Sequence, residues 1–306
     1  MAPRLRSGSR WPAMALLLTL LAGGVPARSQ ARSAGDPPPP GVRVFTCGHS
    51  FHGFVYRMLA EMARSAGIED HQLAGSSMIG GSRVIQHWDA PVEKNTARPA
   101  MSAGKVDVLT LSPIWLPDAG IENLARLGFE HNPNIRVTVQ EFWLPNDTYH
   151  PVYPLETRKE VDHNATDIEE LRKQQSRYDR DIEDHVRAVN RRLGKDVVFV
   201  VPVGQAAVAL REKIVSGQAP GLKAQWDLFR DTWGHAQAPL RVLSGFCHFA
   251  VIYRRSPVGM PIPSDLAKAE NVEDKEKLNL LLQELAWEAV KNHPLTGVVE
   301  PPAVAK

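Results

Sequence analysis

Short β-branched runs alternate along this chain with longer stretches in which apolar residues recur every three or four positions. Residues 42–47, Val-Arg-Val-Phe-Thr-Cys, read as a first strand. Residues 54–66 follow as a helix, with Phe54, Met58, Leu59 and Met62 on one face and Gly67 as its stop. Residues 72–78 give a weaker second strand, 106–111 and 135–140 two clearer ones, and 197–201 (Val-Val-Phe-Val-Val) the most apolar. Residues 167–193 predict a long helix: Ile168, Leu171, Tyr178, Ile182, Val186, Val189 and Leu193 share one face, and the charged opposite face reads as solvated. Further helices are predicted over 205–216, 239–254 and 272–291. Strands alternating with helices predict an α/β fold, a mainly parallel sheet covered by helices on both faces. Residues 144–162 are rich in Pro, Tyr, Asn and His without periodicity and predict a long loop, a kind of segment that is often functional.

The two ends of the chain read differently. Arg4, Arg6 and Arg10 precede a short apolar stretch, and small residues at Ala27, Ser29 and Ala31 follow it. A basic start, a short apolar core and a small-residue cleavage site predict a secretory signal peptide over 1–31 and hence a secreted or periplasmic protein. The apolar core is shorter than the ~20 residues that span a bilayer, so no stable membrane span is expected after cleavage. Residues 32–41 then form a stiff Pro-rich linker, 42–294 one folded domain, and 295–306 a C-terminal tail.

Cleavage changes the electrostatic reading. The whole chain carries +2, but four arginines and no acid precede Gln30, which leaves −2 on the mature protein. A nucleic-acid partner therefore loses its support. Cys47 and Cys247 are too few for a disulfide framework and sit in apolar segments. They are either two buried thiols or one bridge.

Candidate chemistry starts at Gly48-His49-Ser50-Phe51, which ends the first strand. Two readings of this tetrad stand side by side. One is a glycine turn with a serine helix cap. The other is a serine displayed at the carboxyl end of a strand, where open α/β sheets bind ligands. A second block, Gly80-Gly81-Ser82 followed by His87-Trp88, lets the backbone come close to a ligand and aim an N–H at developing negative charge. A third places Asp231 four residues before His235, so that the carboxylate can orient the imidazole. A metal site built from His49, His52, His71 and His87 is a weak alternative, because no carboxylate or cysteine completes a ligand spacing. No metal and no cofactor are expected.

Taken in this order, the three blocks resemble the SGNH/GDSL hydrolases, most closely the branch with a Gly-Asn-Ser-Phe-like opening and a Gly-Gly…His-Trp second block. The resemblance spans most of residues 42–259. It implies a three-layer α/β/α sandwich and a secreted esterase acting on acyl or acetyl esters, with a small-molecule or carbohydrate ester as substrate. Carried over by position, it makes Ser50 the nucleophile, His235 the base and Asp231 its orienting acid. The N–H groups of Ser50 and Gly81 become oxyanion donors, and His49, His87 and Trp115 pocket residues. The chain departs from the pattern in three places. His49 stands for Asp or Asn, Asp231 and His235 are one residue further apart than usual, and a Gly-X-Asn-Asp block is absent. Ser112 or Asn146 is the expected substitute for the missing amide. The alternative reading keeps the fold but not the catalysis, as a protein that binds a glycan or cell-wall ligand.

Overall fold

The computed structural model describes residues 29–30, 37–149 and 160–299. Most of the expected signal peptide, residues 32–36 of the linker, 150–159 of the long loop and 300–306 of the tail lie outside the described residues.

In chain order the elements are β1 (Ser29–Gln30), β2 (Arg43–Gly48), α1 (Val55–Ser65), β3 (Gln72–Met78), α2 (Val84–Asp89), α3 (Ala97–Ser102), β4 (Val108–Leu111), α4 (Ala119–His131) and β5 (Arg136–Gln140). They continue with α5 (Ile168–Leu193), β6 (Val198–Val201), α6 (Val203–Val215), α7 (Ala238–Tyr253), α8 (Ser264–Ala267), α9 (Lys275–Asn292) and β7 (Val298–Val299). Five strands form a parallel sheet in the order β3-β2-β4-β5-β6. β1 and β7 form a separate parallel pair. The protein is an α/β sandwich of flavodoxin-like strand order, as the alternation of strands and helices predicts.

The order explains the helix layers. The chain leaves β2 toward β3 and then returns past β2 to β4, so right-handed crossovers place the intervening helices on opposite faces. On one face α1 packs on α7 and α7 on α9; on the other α2 and α3 pack on α4. The reversal makes the carboxyl end of β2 a topological switch point, where ligands bind in such sheets. Ser50 lies two residues beyond it.

Most element ends fall within a few residues of the pattern. α5 is capped as its sequence dictates: the Asp167 side chain accepts from the Glu170 N–H, and Gly194 ends the helix at φ 69°. Four helices, α2, α3, α4 and α8, were not expected. α4 carries Gly120 and Gly128, which interrupt its helical signal. Gly120 is there because the backbone of α2 passes against it at Val84 and Ile85. The buried Asp118 carboxylate joins these two helices, accepting from Val84 N (2.7 Å), Ile85 N (2.9 Å) and Gly120 N (2.9 Å).

Cys47 and Cys247 are both buried free thiols, and burial pushes each well above the ordinary thiol range. At the start of the expected tail, Leu295 O accepts from Val200 N (2.9 Å) and Val298 is buried.

Candidate active site

The tetrad leaves the sheet through a tight turn in which His52 N and Gly53 N both donate to His49 O (2.9 and 2.8 Å). Gly48 is required here. A Cβ at that position would lie 2.7 Å from the His52 ring. Ser50 is exposed at the apex of the turn, while His49, Phe51 and His52 are buried around it.

His49 is buried beneath the turn. Its Nδ1 accepts from Phe51 N (3.3 Å), so the proton sits on Nε2, which donates to Ser112 O (3.1 Å). Burial, with a contribution from His52, pushes its pKa down to about 3, so the ring is neutral. It ties the serine turn to the end of β4.

Beneath it lies a buried polar cluster that the sequence reading missed. His52 Nδ1 donates to Gln140 Oε1 (2.9 Å), and its Nε2 lies 2.9 Å from Thr110 Oγ1. Gln140 also accepts from His248 Nε2 (3.0 Å) and returns a hydrogen bond from Nε2 to Phe51 O (3.2 Å). Period-two polar positions at the ends of β4 and β5, Thr110 and Gln140, were the available signal.

The Gly-Gly block is held beside the serine by register. Gly48 pairs with Met78, and Ile79 N donates to Gly48 O (3.0 Å). Gly81 adopts φ 61°, a left-handed conformation that costs glycine nothing. Among the described residues no acceptor takes the Ser50 or Gly81 N–H, so both are available. His87 fixes this turn from inside: Nδ1 and Nε2 lie 2.8 Å from Ser77 Oγ and 2.9 Å from Ser82 Oγ. Burial pushes His87 down to about 4. This ring too is neutral.

Asp231 and His235 stand on a small hairpin after the bridge Phe229–Ala236. Arg230 N donates to His235 O (2.9 Å) and Gly234 N to Asp231 O (3.0 Å), with Gly234 at φ 86°. This geometry absorbs the extra residue between acid and base. Asp231 Oδ1 accepts from Trp233 N and His235 N (both 3.1 Å), and Oδ2 accepts from His235 Nδ1 (2.7 Å). With that proton on Nδ1, Nε2 is left to accept from Ser50 Oγ at 2.8 Å. Burial raises the Asp231 carboxyl, but the His235 N–H, the His235 ring and the Trp233 N–H outweigh it and hold the group below its usual range.

Aromatic rings back the imidazole. Phe51 packs on His235 with centroids 4.6 Å apart and on Trp143 at 5.1 Å, and Trp143 Nε1 donates to Gly234 O (2.9 Å).

Asn146 fastens the hairpin: its Nδ2 donates to Thr232 O (2.7 Å) and its N to Trp233 O (3.2 Å). The next residue, Asp147, is buried and accepts two bonds from Arg211 (2.5 and 2.9 Å) and one each from His163 Nδ1 (2.9 Å) and Thr166. His163 Nε2 reaches Asp231 O (3.1 Å), which joins this cluster to the hairpin. Burial opposes ionisation of Asp147, but His163 and Arg211 prevail and bring it to about 2.

Ser112 is buried just beyond β4, and among the described residues its Oγ has no hydrogen-bond partner. Trp115 borders a small cavity shared with Ile114, Phe142, Leu144, Pro145, Thr148 and Tyr149. The four histidines of the metal alternative each bond to protein groups, His71 to the Tyr253 hydroxyl. Among the described residues no three metal-ligating side chains gather.

No family model matches the chain, and none of the curated proteins does. Solved structures do. A DUF4886 family protein from Bacteroides uniformis superposes with a TM-score of 0.50 at 14% identity, over 82% of this chain and 95% of that one. A protein from Parabacteroides merdae described as a GDSL-like lipase gives 0.40 at 12% identity, over 69% of this chain and 95% of its own. At such identities the likeness speaks for the α/β fold alone.

Proposed function

We propose that this chain is an exported serine hydrolase of the SGNH/GDSL type, an esterase for acyl or acetyl esters of a carbohydrate or other small alcohol. One observation carries the reading: the unbroken chain Ser50 Oγ, His235 Nε2, His235 Nδ1, Asp231 Oδ2, with both links under 3 Å. A serine hydroxyl is a weak nucleophile until a neighbouring base takes its proton. Here His235 accepts the proton as Ser50 Oγ bonds to the ester carbonyl carbon, and Asp231 stabilises the imidazolium. The oxyanion is met by the free N–H groups of Ser50 and Gly81, with the unpartnered Ser112 hydroxyl as third donor. His235 then protonates the departing alcohol, and water releases the acyl group by the same steps in reverse. Ser50 lies exposed, which suits a short acyl group carried on a larger alcohol. Export rests on the N-terminal sequence pattern.

A second reading, a cleft that binds a glycan without hydrolysing it, draws on the lack of an Asn amide after β4 and on the commitment of Asn146 to Thr232.

The test is Ser50→Ala, with folding followed by circular dichroism. On short-chain aryl esters kcat should fall by about 10⁴-fold or more. Unchanged hydrolysis by a folded variant would overturn the assignment.

A further inference from the structure

At the opposite end of the sheet from Ser50, where β5 and β6 begin, lies a cavity of about 1080 Å³. That is the size of a small-molecule site. Its walls carry five cationic side chains, Arg136, Arg187, Arg191, Lys195 and Arg254, and among the described residues one carboxylate, Asp196. Two of the cations are already occupied. Arg187 pairs with Glu183 (2.8 Å), and Lys195 Nζ donates to Pro133 O (2.8 Å).

The other three need an explanation. Arg136 caps the end of α7, donating to Val251 O and Ile252 O (2.9 and 2.8 Å), and its guanidinium lies 5.0 Å from the Phe199 ring centre. This accounts for its fold role but not for its Nε, which is buried without an acceptor. Arg254 follows α7 at φ 52°, in the left-handed region, and its Nε is likewise buried and unpartnered. Among the described residues neither of them nor Arg191 has a carboxylate within ion-pair distance. Burial pushes Arg136 down to about 9 and the charge of Arg254 adds to it, while burial lowers Arg254 as well. Two guanidiniums that repel each other, each with an Nε buried and without an acceptor among the described residues, are costly unless a negative charge lies beside them.

We propose that this cavity binds a small phosphorylated molecule, whose phosphate charge is met by the guanidiniums of Arg254 and Arg191 with Arg136 behind them, and whose remainder packs on Phe199. Guanidinium is the group that matches phosphate in this way, by planar paired donors. The site is separate from Ser50 and does not depend on the esterase reading.

Calorimetric titration of the full chain with inorganic pyrophosphate at low ionic strength tests this. Saturable one-to-one binding is expected, weakened at least about tenfold in Arg254→Gln and separately in Arg191→Gln, a change of about 1.4 kcal/mol. Arg191 is at the helix surface, so its variant keeps the test decisive if Arg254→Gln does not fold. Ser50→Ala and Arg126→Gln, a surface cation elsewhere, should bind as the unaltered protein does. Absence of saturable heat, equal binding by the folded arginine variants, or loss of binding in Ser50→Ala would each overturn the proposal.

Discussion

The serine turn and the acid–base hairpin reach the same point in space by different means. The turn hangs from the sheet. β2 delivers it, β3 holds Gly81 beside it by register, and His49 ties it to β4. The hairpin has no strand of the main sheet beneath it. It is held by a buried charged cluster, Asp147 with Arg211 and His163, and by Asn146 and Trp143 grasping its backbone carbonyls. A sheet fixes a nucleophile through many small, redundant terms. A buried ion network concentrates the same task in few groups, so its loss is abrupt. The two halves should therefore fail differently when cut.

The largest effect is expected on the hairpin itself. Asp231→Asn keeps the shape but removes the charge that sets the His235 tautomer, so kcat for ester hydrolysis should fall by about 10⁴-fold with KM little changed. A drop below tenfold would mean that Asp231 only shapes the loop. Next comes Arg211→Met, which leaves the buried Asp147 carboxylate without its guanidinium and with only His163 and Thr166 as partners. Denaturant unfolding should register a loss of about 3–5 kcal/mol, and removing the charge as well with Asp147→Asn should recover part of it. If Arg211→Met is as stable as the unaltered protein, the hairpin is not braced in this way.

On the strand side the effects are smaller and separable. Ser112→Ala removes a buried hydroxyl that has no protein partner, so stability should hold or rise. Loss of a true oxyanion donor would nonetheless lower kcat by about 10². Unchanged kcat would remove Ser112 from the site. His49→Asn tests the turn through pH. The buried His49 stays neutral down to about 3, whereas in the unfolded chain it takes a proton near its usual pKa of about 6.5. Between those values the unfolded state binds more protons, so stability falls as pH falls. His49→Asn should flatten that slope by up to about 1.4 kcal/mol per pH unit between about pH 6 and pH 4. Equal slopes would place His49 in water.

The same contrast explains what could be read from the chain. β2, β5 and β6 announce themselves because nearly all their side chains are buried, so Val and Phe dominate them; only β6 is unbroken, while Arg43, Thr46, Arg136, Thr138 and Gln140 interrupt the other two. Ser50 and Gly81 follow from the strand ends. Asp231 and His235 were legible only as an order of residues, since no periodicity marks a hairpin of this size. The brace was not legible. Asp147, His163 and Arg211 are far apart in sequence, and Asn146 and Asp147 take left-handed conformations, at φ 53° each, that polar loop residues do not advertise. α4 was hidden by glycines placed for close packing. His49 and His87 read as pocket residues from their place beside Ser50 and Gly81, and only their partners reveal neutral rings that hold backbone groups and serine hydroxyls.

The central claim is that Ser50 is activated by His235. A fluorophosphonate reacts covalently with such a serine and not with an ordinary hydroxyl. Treating the full chain with the probe and mapping the adduct by mass spectrometry should find one label, on Ser50, and little or none in a folded His235→Ala variant. An unlabelled Ser50, or one labelled equally without His235, would contradict the account.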